Sequence, residues 1–397
     1  MVRFGIVFIA LIHGSCAADR ARPAETFVLR LEQEVSKMQR QLVDDGVCLS
    51  NQVVVGWKGE VAYRHSEVTR VKGDRPITEE TLFPIWSMTK PVTSVAAMLL
   101  HERGQFALDD SVHGVLPKLS QFRVLGDNGD TEPLRRDITY RDLLCHTTGL
   151  DGYDGSFDQQ GTWKQIMELN DLDEVVALLV SQPLKHQPGE GYTYGMSTAV
   201  LGRAVEVLTG MPLADFLEKE IFAPLGMKQT RFFLTEEDRR RFQPLFVKEG
   251  DHYRPGTPAE DELYYRPSSA LSLGGEGLVS SMVDYAKFCQ MLLDEGRPLL
   301  NRRTWSLMLE DHLKDNPQYD GKARGLYHGL GFWVLEDPAK EDSNSPSGIF
   351  GWSGYHTTHF WVDPQNKIYA IFMTRRYPST DVPQRRLRDA VYRALAP

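Results

Sequence analysis

The sequence predicts an α+β fold in which one sheet is built from both ends of the chain and a helical domain is inserted between them. Three observations predict it. Near the start, "QVVVGWKGEVAYRHS" reads as two strands joined by a tight turn at Lys58-Gly59. From about 105 to 270 the signals are mainly helices and loops. Strand character then returns in "GLGFWVL" near 329–335, "HFWVD" near 359–363 and "KIYAIFMT" near 367–374, all rich in aromatic and β-branched residues. The implied boundaries are a sheet domain over 24–104 and 271–397 and an all-α insertion over 105–270. A cleft between the two parts is the natural place for a site.

The elements follow in chain order. "MVRFGIVFIALIHGSCAADR" has a basic residue, an apolar run from Phe4 to Ile12 and a small-residue end. That is the pattern of a secretory signal over 1–17, cleaved before Ala18, and it implies a secreted or periplasmic protein. Cys16 offers lipid attachment as a second option, although His13 fits poorly ahead of it. The apolar run is too short to span a bilayer, and no other stretch reaches the roughly 18 apolar residues a span needs. Phe27, Leu31, Val35, Met38 and Leu42 repeat at helical spacing, so about 24–44 is an amphipathic helix. Thr89 to Arg103 is apolar on nearly every face, as expected of a buried helix, and stops at Gly104. In "ITYRDLL", Thr139 and Asp142 are spaced like an N-terminal cap, although Glu or Gln is the usual partner. "DLDEVVALLV", "STAVLGRAVEVLTG" and "SMVDYAKFCQMLLDEG" are further amphipathic helices, and a last one covers about 382–395.

With 397 residues the chain is long enough for two domains, or for one large domain with an insertion. Its 41% hydrophobic and 25% charged residues are ordinary for a soluble protein. A net charge of −9 argues against nucleic acid as the main partner. Cys48, Cys145 and Cys289 are too widely spaced for a disulfide framework, and no Cys/His cluster suggests zinc. His356 and His359 would face opposite sides of a strand, which makes a poor metal site.

The chemistry is concentrated in "PIWSMTKPVTSVAAMLL". Ser87 is the only serine with a lysine three residues on, at Lys90. Residues three apart share a helix face, so the two can touch. A serine hydroxyl is a weak nucleophile and needs a base. A lysine serves if its amine is neutral, which requires a lysine pKa to fall from about 10.4 to near neutral, about 4 kcal/mol of differential interaction. Burial beside a packed helix could supply that. The start of the helix would also aim free N–H groups at an oxyanion. A capping serine followed by a snorkelling lysine is the structural alternative.

The surrounding words resemble the serine β-lactamase and penicillin-binding-protein family, and within it the class C β-lactamase-like esterases. They are "LFPIWSMTKPVTSVAAMLLHERGQFALDDSVHGVLP", "DLLCHTTGL", "APLGMKQTRF" and "GGEGLVSSMVDYAKFCQMLL", in the family's order over about 50 to 375. The resemblance implies an antiparallel sheet flanked by helices with an inserted all-helical domain. "GYTYGMSTAVLG" places Tyr194 at the family's second-motif tyrosine, with Tyr192 two residues off the matching position. Met196 stands where lactam-active members carry asparagine. No Lys-Thr-Gly or Lys-Ser-Gly is present; Trp352-Ser353-Gly354 resembles the esterase form of that third motif instead. The resemblance then implies oxyanion donors at the N–H groups of Ser87 and Tyr355, and Trp86 as a cleft wall. His146 reads as structural rather than as a base. Arg375 and Arg376 could replace the missing cation, but at a strand end they are expected to be solvated.

The resulting expectation is a serine hydrolase that cleaves carboxylic esters through an acyl-enzyme. Ser87, Lys90 and Tyr194 carry the chemistry; Trp352, Ser353, Gly354, Met196 and Trp86 line the substrate site. The substrate is a small-molecule ester or amide, and no metal or organic cofactor is needed. A β-lactamase, D-amino-acid peptidase or transacylase using the same site is the first alternative. A non-catalytic binding protein on the same fold is the second.

Overall fold

The computed structural model describes residues 18–396 apart from 127, 152–161, 258–259, 262–269, 317 and 342. The expected leader, with Cys16, lies outside the described residues. The first helix is α1 (Ala18–Asp44), and two strands follow, β1 (Asn51–Trp57) and β2 (Glu60–Glu67). The late strands are β3 (Leu326–His328), β4 (Trp333–Leu335), β5 (Phe350–Gly354), β6 (Thr358–Asp363) and β7 (Ile368–Met373). Together they form a seven-stranded sheet in the order β2-β1-β7-β6-β5-β4-β3. Each adjacent pair is antiparallel. The two ends of the chain meet where β1 pairs with β7, Gln52 opposite Met373 and Trp57 opposite Ile368.

Strand alternation sorts the apolar residues onto two faces. Val53, Val55, Trp361, Ala370 and Phe372 pack against Leu31, Val35 and Met38 of α1 and against Leu387 and Val391 of the last helix, α7 (Val382–Leu395). Val54, Phe360, Val362, Ile371 and Met373 face the other way, toward the buried helices α2 (Thr89–Glu102) and α6 (Met282–Leu293). Both faces are covered, which explains why the central strands read as almost unbroken apolar runs. Lys58 and Gly59 both take positive φ, 52° and 88°, as a two-residue hairpin turn between right-twisted strands requires.

Two features differ from the sequence expectation. Only the end of "GLGFWVL" is a strand: β3 stops at His328 just before it, β4 begins at Trp333, and the Gly329 N–H bonds to the Phe332 carbonyl at 2.9 Å in between. The two glycines reverse the chain there. The middle of the chain is also not purely helical. It contains α3 (Tyr140–Cys145), α4 (Leu172–Val180) and α5 (Ser197–Thr209), but also short hairpins at 123–125/131–133 and 246–249/252–255. The 246–249 strand even pairs in parallel with Arg376-Tyr377, just past β7. One continuous core joins sheet, α2 and insertion, so the site rests on shared packing rather than on two loosely docked bodies. Cys48, Cys145 and Cys289 are buried free thiols.

Leu31 on α1 is fully buried against the face of the sheet away from α2. Leu31→Ala should lower stability by about 2–5 kcal/mol in urea unfolding. Labelling of Ser87 by a fluorophosphonate under native conditions should be unchanged.

Candidate active site

Strand 82–84 pairs with 279–281 and leads into a single 3₁₀ turn, Trp86–Met88, that runs directly into α2. Ser87 sits on this turn, half-buried, at the mouth of a helix whose residues from Thr89 to Leu100 are all hidden from water. Trp86 has φ +50°, a left-handed backbone that a bulky residue rarely takes. Its neighbours hold it there. The Ile85 N–H donates to the Leu278 carbonyl at 3.0 Å, and the buried Tyr285 hydroxyl donates to the Met88 carbonyl at 2.9 Å.

Lys90 is one turn on, and only 1% of its surface is exposed. Its Nζ donates to Ser87 Oγ at 3.2 Å and to the Gly275 carbonyl at 2.8 Å. The same nitrogen lies 3.5 Å from Glu276 Oε2 and 4.9 Å from the centre of the Tyr194 ring. The structure therefore gathers Ser87, Lys90 and Tyr194 around one side-chain nitrogen. Tyr192 belongs to a different neighbourhood: its ring packs 4.9 Å from Tyr319 and 5.7 Å from His328, and burial pushes its phenol well above the ordinary value.

Glu276 is the member that sequence reasoning missed. It is 2% exposed and comes from the segment that follows the insertion. The signal was present: in "SSALSLGGEGLVSSMV" it is the single charged residue. That segment runs between α2 and α5. Thr93 Oγ1 donates to the Gly274 carbonyl at 2.7 Å, and the Leu278 N–H donates to Thr89 Oγ1 at 3.2 Å.

Tyr194 is positioned by "DLLCHTTGL". Thr139 caps α3, and both halves of the capping box form even though the partner is Asp142. Asp142 also receives a two-pronged ion pair from Arg136, at 2.6 and 2.8 Å, and the Thr147 hydroxyl at 2.8 Å. Burial alone would raise the Asp142 carboxyl, but Arg136 and Thr139 together hold it below the usual carboxylate range. The helix ends at His146 in a left-handed cap (φ 57°), whose carbonyl accepts the Thr193 N–H at 2.9 Å. The next residues press on the tyrosine loop: a Cβ on Gly195 would lie 2.4 Å from the Leu150 carbonyl oxygen. The His146 ring packs 4.9 Å from that of Tyr194. Burial, with His328 and Lys90 nearby, keeps the His146 imidazole well below its ordinary value and therefore neutral.

The opposite wall is the β5–β6 hairpin. Trp352 packs 5.9 Å from the Tyr194 ring. A Cβ on Gly354 would lie 2.3 Å from the Ile85 carbonyl oxygen, so the backbone of β5 runs directly against the Ser87 turn. Tyr355 follows, its half-exposed ring edge-on to Trp86 at 5.2 Å. Ser353 points the other way: its hydroxyl hydrogen-bonds His359 Nδ1 at 2.9 Å, across the pair of strands. Met196 is buried in the main core rather than lining an open cleft. Arg375 and Arg376 are not solvated. Arg375 is ion-paired with Asp261 and donates to the Gln243 carbonyl, while Arg376 donates to the Tyr253 hydroxyl at 3.2 Å.

A family profile described as "Beta-lactamase" matches residues 35–394. The chain belongs to the β-lactamase family. Among its relatives, Protein Rv1367c of Mycobacterium tuberculosis is 31% identical over 86% of this chain and 90% of its own length. Esterase EstB of Burkholderia gladioli is 30% identical, over 85% of this chain and 89% of its own. Among solved structures, "EstCE1, a hydrolase with promiscuous acyltransferase activity" aligns with a TM-score of 0.78 at 26% identity, covering 92% of this chain and 99% of that one. The antiparallel sheet flanked by helices is thus the β-lactamase-family fold.

Asp142 is the anchor of the element behind Tyr194. Asp142→Asn should cost about 2–4 kcal/mol near neutral pH, read by urea unfolding. Because its folded pKa is depressed, the carboxylate's contribution is complete above about pH 4, the unfolded carboxyl value. The gap between wild type and variant should therefore close as pH falls below that and through the lower folded value.

Proposed function

We propose that this protein is a serine hydrolase that cleaves carboxylic esters through an acyl-enzyme on Ser87. The observation that supports it best is the 3.2 Å contact between the half-buried Ser87 Oγ and the Nζ of the buried Lys90, with the Tyr194 ring 4.9 Å from the same nitrogen. Ser87 Oγ attacks the ester carbonyl as its proton passes into the Lys90/Tyr194 pair. The N–H groups of Ser87 and Tyr355 receive the oxyanion. The close approach of Gly354 to Ile85 is what would bring the Tyr355 N–H to that position. The stored proton goes to the departing alkoxide. Water then adds to the acyl carbon, gives its proton to the same pair, and Ser87 recovers its hydrogen as the acid leaves. Attack by an alcohol in place of water would give acyl transfer, the promiscuous activity ascribed to the structural relative EstCE1.

The walls favour neutral substrates. Trp86, Trp352, Tyr194 and Tyr355 carry no charge, and His328 behind them is buried, its imidazole held down to about 4. Arg375 and Arg376 are engaged with Asp261 and Tyr253. A lactam or peptide carboxylate therefore lacks an obvious cation on this wall among the described residues. The leader-like 1–17 supports export of the chain that begins at Ala18.

A rate comparison tests the reading. kcat/KM for short nitrophenyl esters should exceed that for a chromogenic cephalosporin and for a D-alanyl peptide; faster lactam turnover would reverse it. Ser87→Ala should reduce ester turnover by about 10³-fold or more. Gly354→Ala, which displaces the second oxyanion donor, should lower kcat about 10²-fold with little change in KM.

A further inference from the structure

We infer that Tyr377, together with Tyr355, seats the acyl portion of the substrate, so that the preferred esters carry an aryl group joined to the acyl carbonyl by a short spacer. The inference rests on the ester-hydrolase reading of the site. It adds the chemical class of the acyl group and the residue that selects it.

Among the described residues, three aromatic side chains are more than a third exposed: Phe233, Tyr355 and Tyr377. Two of these are neighbours. The Tyr355 and Tyr377 rings lie 5.9 Å apart, inclined at 69°, and the Tyr355 ring stands edge-on to Trp86 at 5.2 Å. Adjacent exposed rings at the opening of a reactive site mark a surface that a ligand covers. Tyr377 is also fixed in place. Arg376 and Tyr377 pair in parallel with Phe246 and Val247, and side chains alternate along such a strand. Arg376 turns inward and donates to the Tyr253 hydroxyl at 3.2 Å; Tyr377 turns outward, 40% exposed. The Arg376 N–H donates to the His356 carbonyl at 3.1 Å, and the His356 N–H donates to Ser379 Oγ at 3.1 Å. The segment that carries Tyr377 is thus tied, on both sides of it, to the residue after Tyr355. Two rings inclined to each other offer a third ring one face and one edge, the arrangements that aromatic groups favour.

The direction of β5 decides which part of the ester meets these rings. The strand passes the Ser87 turn at Gly354, where a Cβ would lie 2.3 Å from the Ile85 carbonyl oxygen. On one side of that passage is Trp352, 5.9 Å from the Tyr194 ring. On the other is Tyr355, with Tyr377 beside it. In the proposed reaction the leaving alkoxide takes its proton at the Tyr194 end. The tetrahedral carbon holds Ser87 Oγ, the oxyanion, the alkoxide and the acyl chain. With the alkoxide toward Tyr194, the acyl chain runs toward Tyr355 and Tyr377. Arg375 and Arg376 are engaged with Asp261 and Tyr253, so the seat suits an uncharged ring.

The test uses alkylboronic acids, which bind a reactive serine with their single carbon substituent in the place of the acyl group and need no turnover. Titrated into the full chain, 2-phenylethylboronic acid should bind at least about threefold more tightly than 2-cyclohexylethylboronic acid, its saturated match in size. Equal affinities, or tighter binding of the saturated ring, overturn the inference. In Tyr377→Ala that ratio should fall to near one, and in Tyr377→Phe, which keeps the ring, it should persist. A ratio retained in Tyr377→Ala overturns the role of Tyr377, and the wild-type ratio decides alone if that variant does not fold. Where esters are turned over, kcat/KM for 3-phenylpropanoyl over 3-cyclohexylpropanoyl esters of one alcohol should show the same preference and the same loss in Tyr377→Ala. Loss of a ring preference on the alcohol side instead, read with 2-phenylethyl and 2-cyclohexylethyl acetates, would contradict the direction assigned to the acyl chain. Aromatic selectivity among the boronic acids without ester turnover would count against the ester-hydrolase reading alone. A wild type that binds neither boronic acid contradicts both.

Discussion

Burying a lysine amine beside a serine hydroxyl is the constraint on which the rest of the site depends. An ammonium removed from water costs several kcal/mol unless its donors are satisfied and its charge is balanced. Here the satisfaction comes from far along the chain: Gly275 and Glu276 lie 185 and 186 residues from Lys90. They can reach it because strand 279–281 pairs with strand 82–84 and brings the segment before it alongside α2. The pairing of those two short strands is therefore more than an edge feature. It places nucleophile, amine, carbonyl and carboxylate in one position, and the long buried helix α2 keeps them there.

A second constraint runs through the backbone on either side of Ser87. Trp86, His356 and Thr357 all have positive φ, 50°, 64° and 72°, without being glycine. Such conformations cost of order 1–3 kcal/mol each and persist only where the surroundings over-determine them. The surroundings do so here. The His356 N–H donates to Ser379 Oγ at 3.1 Å, its carbonyl accepts the Arg376 N–H at 3.1 Å, and Thr357 Oγ1 accepts the Thr380 N–H at 3.2 Å. The His356 and Tyr355 rings both pack on Trp86, at 5.1 and 5.2 Å. The strained turn and the strained residue before the nucleophile thus brace each other across the opening, where a carbonyl oxygen would have to be held. Stability lost in these residues is offset by the continuous core beneath them.

What the sequence reveals follows the range of the forces involved. The hairpin at Lys58-Gly59, the amphipathic α1 and the cap at Thr139 are legible because each depends on residues a few positions apart. The Ser87/Lys90 pair is legible for the same reason, since one helical turn joins them. The partners of Arg375 and Arg376 were hidden because they arrive from 243–261, across the small sheet that couples the insertion to the end of β7. The break between β3 and β4 was obscured by apolar residues that continue through the reversal. Ser353 is a different case. Simple alternation from Trp352 would have placed it on the far face, yet its position inside a three-residue motif suggested a side chain turned toward substrate. Glu276 was visible as an isolated charge, but only its distant partner gives that charge a purpose.

The central claim is that a covalent acyl intermediate forms on one particular hydroxyl. Intact mass spectrometry of protein quenched in acid shortly after mixing with a short acyl ester, followed by peptide mapping, tests it most directly. The expected result is a mass increase of one acyl group, carried by the peptide that contains Ser87, which decays as acid product is released. Acylation confined to another residue, or steady ester turnover with no acylated species at any quench time or ester chain length, would contradict it.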